Sequence, residues 1–357
     1  MAVNLLIFAG KKAYARIQEQ GLRPEMVEVI AGAAGGPKWL VLNGLDRAIF
    51  FSWLTSAKAP VHLLGSSIGS WRFAAVAQGP GAATAYDRFE QAYLEQRYSI
   101  RPPPREVTEQ SRKIVDAFLD DAGVKHVLSH PFFRLSMLTV RCRWMVSSDT
   151  PYLLGPGLVL SALANGVNRK SLRFFFSRTL VYDSRDRPPF LGMDAFPIQR
   201  VPLSAENIRP ALLASGSVPL VMAGEPNLPG ASPGIYRDGG LIDYHLDIPF
   251  GCKGMVLFPH YLHRIIPGWF DKPLAWRRPK PTNMENVVLV CPSPTFVEKL
   301  PYGRIASRTD FKAFRFRDNE RIAFWRKVIA AGAILGDEFL ELVQGAKINT
   351  VIRPLPV

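Results

Sequence analysis

Short apolar runs punctuate this chain at residues 27–31, 61–65, 254–258 and 286–291. They are strand-length and lack polar alternation, the pattern of strands covered on both faces. Between and after the first two lie longer segments with helical spacing, about 37–53, 68–78 and 82–97. The order strand, helix, strand, helix predicts parallel strands in one sheet. The expected fold class is α/β: a layered α/β/α arrangement with mostly parallel central strands and a C-terminal helical extension.

Pro102-Pro103-Pro104 interrupts the pattern. Helices are expected at 107–118 and 124–129, and a strand at 134–146. The apolar stretch 152–164 is broken by Gly155, Pro156 and Gly157 and is too short to span a bilayer. Its default reading is burial under the sheet; the competing one is a membrane-touching flap over a site. Strands are expected at 172–182 and 198–202, and a helix at 204–215 with Ser204 as its cap. Residues 235–243 read as a hairpin-like segment, and a long helical pattern at 318–342 closes the chain. Residues 27–260 are read as one catalytic domain, with 261–357 as an extension packed on it.

Composition narrows the classes. A chain of 357 residues, 48% hydrophobic and 21% charged, supports a sizeable core. Cys142, Cys252 and Cys291 form no C-x-x-C pair, which argues for a reducing compartment. Residues 1–10 carry no positive charge ahead of their apolar run and do not read as a secretory signal. The expected location is cytoplasmic, with peripheral membrane contact left open. The net charge of +14 favours anionic partners. Lys272, Arg277, Arg278 and Lys280 surround Trp276, and six basic residues from Arg304 to Arg321 interleave with Phe311, Phe314 and Phe316. Basic residues among aromatics suit nucleic acid, an anionic lipid surface or simply a solvated face. With no zinc-finger, RNP or helix-turn-helix signature, no nucleic-acid partner is expected, and an anionic membrane surface stays open as one. No metal-ligand cluster or cofactor motif is present, so no cofactor is expected. Oligomeric state is not legible.

The chemistry concentrates in Gly65-Ser66-Ser67-Ile68-Gly69, a G-x-S-x-G pentapeptide between an apolar strand and an apolar helix. A serine on such a turn has an exposed hydroxyl, and the flanking glycines let neighbouring backbone approach. Ser67 is therefore the candidate nucleophile and the Ile68 N–H a candidate oxyanion donor. The glycine-rich turn after the first strand, with Gly35, Gly36 and Lys38, can supply further donors. It does not match a phosphate-binding loop. Asp238, followed by Gly239 and Gly240, is the candidate base; the competing reading is an Asp-Gly turn. A Ser-Asp-His triad of α/β-hydrolase type would instead draw on His245, His260 or His263.

Three segments, Gly35-Gly36-Pro37-Lys38, Gly65-Ser66-Ser67-Ile68-Gly69 and Asp238-Gly239-Gly240, occur in the order found in the patatin-like phospholipase family. The stretch from Ala211 to Pro219 also resembles that family's Ser/Ala-rich segment. The resemblance spans about residues 27–260. It implies a Ser-Asp dyad without histidine, acting on acyl esters of lipids, with Ser67 as nucleophile, Asp238 as base, and Gly35 and Gly36 in the oxyanion hole. Lys38 matches the family's basic loop residue. Ala34 and Trp39 stand where the family usually has glycine, and Pro37 offers no N–H. The altered loop motivates a third reading, a non-catalytic lipid-binding or scaffolding protein on the same fold.

Overall fold

The computed structural model describes residues 4–56, 59–345 and 347–356; the first three residues of the N-terminal run considered above lie outside them. Its strands are β1 Leu5–Ala9, β2 Val27–Gly32, β3 Val61–Ser66, β4 Phe133–Cys142, β5 Phe176–Tyr182, β6 Ile198–Pro202, β7 Glu225–Pro226, β8 Ile235–Asp238, β9 Met255–Pro259, β10 Val287–Pro292 and β11 Arg353–Pro354. They form one sheet in the order β11-β1-β10-β9-β2-β3-β4-β5-β6, with β8 paired to β4 and β7 to β8. The central pairs β10-β9, β9-β2, β2-β3 and β3-β4 are parallel. β1-β10 and β4-β5 are antiparallel. The fold is thus α/β, a mostly parallel mixed sheet flanked by helices.

The central strands read as uninterrupted apolar runs because both faces are covered: every residue of β3, β9 and β10 is buried. The main helices are α1 Lys11–Gln20, α2 Asn43–Ala48, α3 Ile68–Val76, α4 Ala82–Leu94, α5 Pro104–Phe118, α6 Asp121–Ser129, α7 Pro151–Val167, α8 Ile208–Gly216 and the C-terminal helix Asp318–Gln344. α3 is buried along its whole length, including Arg72, whose guanidinium pairs with the buried Asp46. Tyr86 donates to the same carboxylate at 2.6 Å, so the buried charges are hydrogen-bonded as well as paired.

Several boundaries differ from the sequence reading, each for a local reason. The sheet is not confined to residues 27–260, since β1, β10 and β11 complete it. The expected helix after the glycine turn is composite: a 3₁₀ segment Gly36–Leu42, then α2, then a π segment Ile49–Trp53. Residues 235–243 are not a hairpin, because after β8 the chain turns into a short helix, Gly240–Asp243. α8 begins at Ile208; Ser204 instead exchanges hydrogen bonds with Asn207 ahead of it. The stretch expected under the sheet is α7, which buries only one stripe: Leu154, Gly157, Leu158, Ser161 and Asn165.

Candidate active site

One feature of the sheet brings residues 67 and 238 together. β3 runs parallel to β4 and ends with Ser66 opposite Leu138. β8 runs antiparallel to β4 and ends with Asp238 opposite Thr139, the next residue along. The two strands therefore occupy the same side of β4 and meet end to end. The Thr139 hydroxyl fixes the junction by donating to the Arg237 carbonyl at 2.6 Å.

Beyond β3 the chain reverses sharply. Ser67 has φ 55° and ψ −127°, a strained conformation for serine, and α3 starts at the next residue. Only glycine fits on either side: a Cβ on Gly65 would lie 2.4 Å from the Ser70 nitrogen, and one on Gly69 2.2 Å from the Gly32 carbonyl oxygen. The Ser67 amide donates to Ser215 Oγ at 2.8 Å. Ser215 in turn donates to the Leu138 carbonyl at 2.7 Å. Its single proton is then used, so the Ser70 hydroxyl 3.0 Å away is the donor in that contact. Ser215 thus anchors the Ser67 turn to β4.

The Ser67 hydroxyl donates to Asp238 Oδ2 at 2.7 Å, across 171 positions of sequence. The other carboxylate oxygen accepts the Gly240 amide at 2.7 Å. The Asp238 and Gly239 amides donate to the Ser217 and Ser215 carbonyls at 3.0 and 3.3 Å. The Ser/Ala-rich segment therefore holds both partners, a role its composition does not disclose. Burial raises the Asp238 carboxyl above its ordinary range. Hydrogen bonds from Ser67 and Gly240 and the charges of Arg308 and Lys272 oppose this without cancelling it. The carboxylate is accordingly a stronger base than in water.

The glycine-rich turn borders the same point. Gly36 has φ 55°. Among the described residues, the amides of Gly35, Gly36 and Ile68 are bonded to no acceptor, whereas the Ala34 amide is held by the Tyr244 carbonyl at 2.9 Å. The Ala34 carbonyl accepts from the Tyr261 hydroxyl at 2.6 Å. Trp39, in place of a glycine, belongs to the core, stacked on Phe89 with ring centres 4.5 Å apart.

The histidines are elsewhere engaged. His245 Nδ1 accepts the Ile266 amide at 3.0 Å, and its Nε2 lies 2.8 Å from the Tyr261 hydroxyl. His260 Nδ1 accepts the Leu262 amide at 2.9 Å. Burial holds His245 well below the usual imidazole range and His260 at about 3. His263 is exposed. No histidine is hydrogen-bonded to Ser67 or Asp238 among the described residues, so the triad has no geometry here. His245 and Tyr261 brace the glycine turn instead.

Two cavities meet at Ser67. One, of about 180 Å³, is bordered by Gly35, Asp238, Tyr244, Lys38, Lys272 and Arg308. The other, of about 260 Å³, is bordered by Trp71, Tyr93, Ile114, Val221, Met222 and Phe311. Ser67, Val218 and Arg308 belong to both. Lys272 and Arg308 had figured in the sequence only as members of basic clusters; nothing local signals their convergence on the site. Lys38 Nζ lies 4.9 Å from the centre of the Tyr261 ring, and Lys272 Nζ 4.1 Å from that of Tyr244.

The chain matches no protein-family model and no curated protein. The functional reading therefore rests on the geometry above.

Proposed function

We propose that this protein is a serine acyl hydrolase of patatin-like type, cleaving acyl esters of lipids through a Ser67–Asp238 dyad. The observation that carries the reading is the 2.7 Å hydrogen bond from Ser67 at a strained strand-to-helix turn to Asp238, at the junction of two cavities. Ser67 Oγ attacks the ester carbonyl carbon as its proton passes to Asp238 Oδ2. The free amides of Gly35, Gly36 and Ile68 are the donors at hand for the oxyanion. The bond to the alcohol oxygen then breaks, and the alcohol leaves with the proton from Asp238. Water attacks the acyl-Ser67 ester, gives a proton to Asp238, and the acid departs as Ser67 regains its proton.

A membrane surface is the proposed place of work. α7 carries no charged residue and exposes Tyr152, Leu153, Val159, Leu160, Leu163 and Val167, with Trp144 and Phe174 exposed beside it. Arg143, Lys170 and Arg173 flank this apolar face. Aromatic and aliphatic side chains ringed by cations suit an anionic lipid interface. α7 is tied to the site's border: Asn165 donates to Asp271 at 2.8 Å, and Arg277 donates to the Asn165 carbonyl at 2.8 Å. Trp269 and Lys272, either side of Asp271, line the first cavity. No helix among the described residues is long and apolar enough to cross a membrane.

Fluorophosphonate labelling tests the dyad. The expected result is an adduct on Ser67 that falls sharply in Asp238→Asn. Ser67→Ala and Asp238→Asn should each lower ester turnover by at least about 10³-fold without unfolding the protein. A folded protein that takes no adduct on any serine would favour the non-catalytic lipid binder.

A further inference from the structure

We propose that the Tyr261 hydroxyl is a positioning group for the oxyanion hole: by donating to the Ala34 carbonyl it aims the Gly35 N–H at the carbonyl oxygen of the ester under attack, and His245 fixes where the Tyr261 proton goes. This role rests on the acyl-hydrolase reading; the hydrogen bonds themselves do not.

The contact follows from the sheet. β9 and β2 are parallel neighbours with Ile30 opposite Leu257, and Ala34 and Tyr261 each lie four residues beyond that pair. The Tyr261 hydroxyl donates to the Ala34 carbonyl at 2.6 Å. A carbonyl cannot donate, so this bond takes the only phenolic proton. The Tyr244 hydroxyl, 3.2 Å away, is then the donor in that contact. His245 supplies a second donor. Its Nδ1 accepts the Ile266 amide at 3.0 Å and burial keeps the ring neutral, so its proton sits on Nε2, 2.8 Å from the Tyr261 oxygen. Tyr244, His245 and Tyr261 are all buried. The phenolic oxygen thus accepts two hydrogen bonds, and its own proton has one place to go.

The effect on the turn follows from peptide geometry. The Ala34 carbonyl and the Gly35 N–H belong to one trans peptide and point in opposite directions. Gly35 borders the cavity with Ser67 and Asp238, and Tyr261 does not. The carbonyl is therefore held on the protein side, while the Gly35 N–H, bonded to no acceptor among the described residues, is left on the other. The glycines at 35 and 36 would otherwise let this peptide flip and put a carbonyl where the oxyanion forms; a flip must now break the Tyr261 bond. Donation into the carbonyl also strengthens the linked N–H as a donor, by roughly 10–30% per bond. The turn is seated on the other side of the dyad as well. The Ala34 amide is held by the Tyr244 carbonyl at 2.9 Å, and a Cβ on Gly240 would stand 2.8 Å from the Ala34 Cβ. A Cβ on Gly35 would lie 2.6 Å from the Tyr261 ring, so only glycine fits against it.

The test separates aim from packing by comparing two ligands. In 1,1,1-trifluorodecan-2-one, Ser67 Oγ bonds to the carbonyl carbon, its proton passes to Asp238 and the carbonyl oxygen becomes an oxyanion. Decan-2-ol fills the same space and forms no adduct. Binding of both is measured by calorimetry on the wild type, Tyr261→Phe and His245→Asn, each checked for folding by circular dichroism. Tyr261→Phe keeps the ring against Gly35 and removes the hydroxyl. It should weaken the ketone about tenfold or more, slow fluorophosphonate labelling of Ser67 to a similar extent, and leave decanol within about twofold. Asn at 245 keeps an acceptor for the Ile266 amide but is too short to reach Tyr261. It should weaken the ketone about threefold or more and spare decanol, and it decides alone should Tyr261→Phe fail to fold. Equal weakening of both ligands shows a merely structural role and overturns the proposal. So does a ketone preference that survives in the folded variants while wild-type Ser67 is labelled, an outcome that leaves the hydrolase reading standing. A folded wild type that takes no fluorophosphonate and binds the ketone no better than decanol removes the hydrolase reading and the role of Tyr261 with it.

Discussion

At the scale of single residues, the site works by mismatched environments. Asp238 is raised above its ordinary carboxyl range by burial, so activity toward a neutral ester should fall as pH drops through a value above 3.8. The stability consequence has a definite sign. A carboxyl whose folded pKa is raised favours the folded state while protonated, and that contribution is lost as pH rises through the folded pKa. Asp238→Asn should thus be no less thermally stable than the wild type at pH 7, even as turnover disappears. Ser67 and Asp238 were legible because glycines must flank a cramped turn. Ser215 was not, because its role is two hydrogen bonds to backbone groups far away in sequence.

At the scale of elements, β4 is the rail on which the site is assembled. β3 pairs with its first half and β8 with its second, and neither pairing has a local signature. The α3 turn is equally constrained by contact. A Cβ on Gly69 would meet the Gly32 carbonyl of the neighbouring strand. Gly69→Ala should cost about 1–3 kcal/mol in denaturant unfolding and perturb Ser67 labelling; an unchanged midpoint would show that α3 shifts freely. Behind that turn, Asp46→Asn leaves Arg72 buried without its charge partner. It should destabilise by about 3–5 kcal/mol, read as a lowered denaturation midpoint. The apolar strands were legible from uninterrupted hydrophobic runs. α7 was misread as buried because its composition is apolar all round, and composition does not say which faces find a partner.

At the scale of the whole molecule, charge and the apolar α7 face bear on one proposal. The net charge of +14 should draw the protein to anionic vesicles, and the exposed side chains of α7 should then insert. Leu160→Asp together with Leu163→Asp should reduce vesicle binding about tenfold or more, while Ser67 labelling in solution persists. Rising salt should weaken binding of the wild type. Vesicle binding that ignores both the substitutions and the salt would remove α7 from the interface.

Hydrophobic periodicity alone carried the α/β class, the parallel strand–helix order and the closing helix, since each depends on neighbours within a few residues. The glycines around Ser67 and after Asp238 marked their turns for the same reason. The meeting of β3 with β8, the Ser215 anchor, the bracing of the glycine turn by Tyr261 and His245, and the convergence of Lys38, Lys272 and Arg308 belong to the tertiary structure. Each joins groups tens to hundreds of positions apart, and only the packing of the sheet decides which of many polar residues become neighbours.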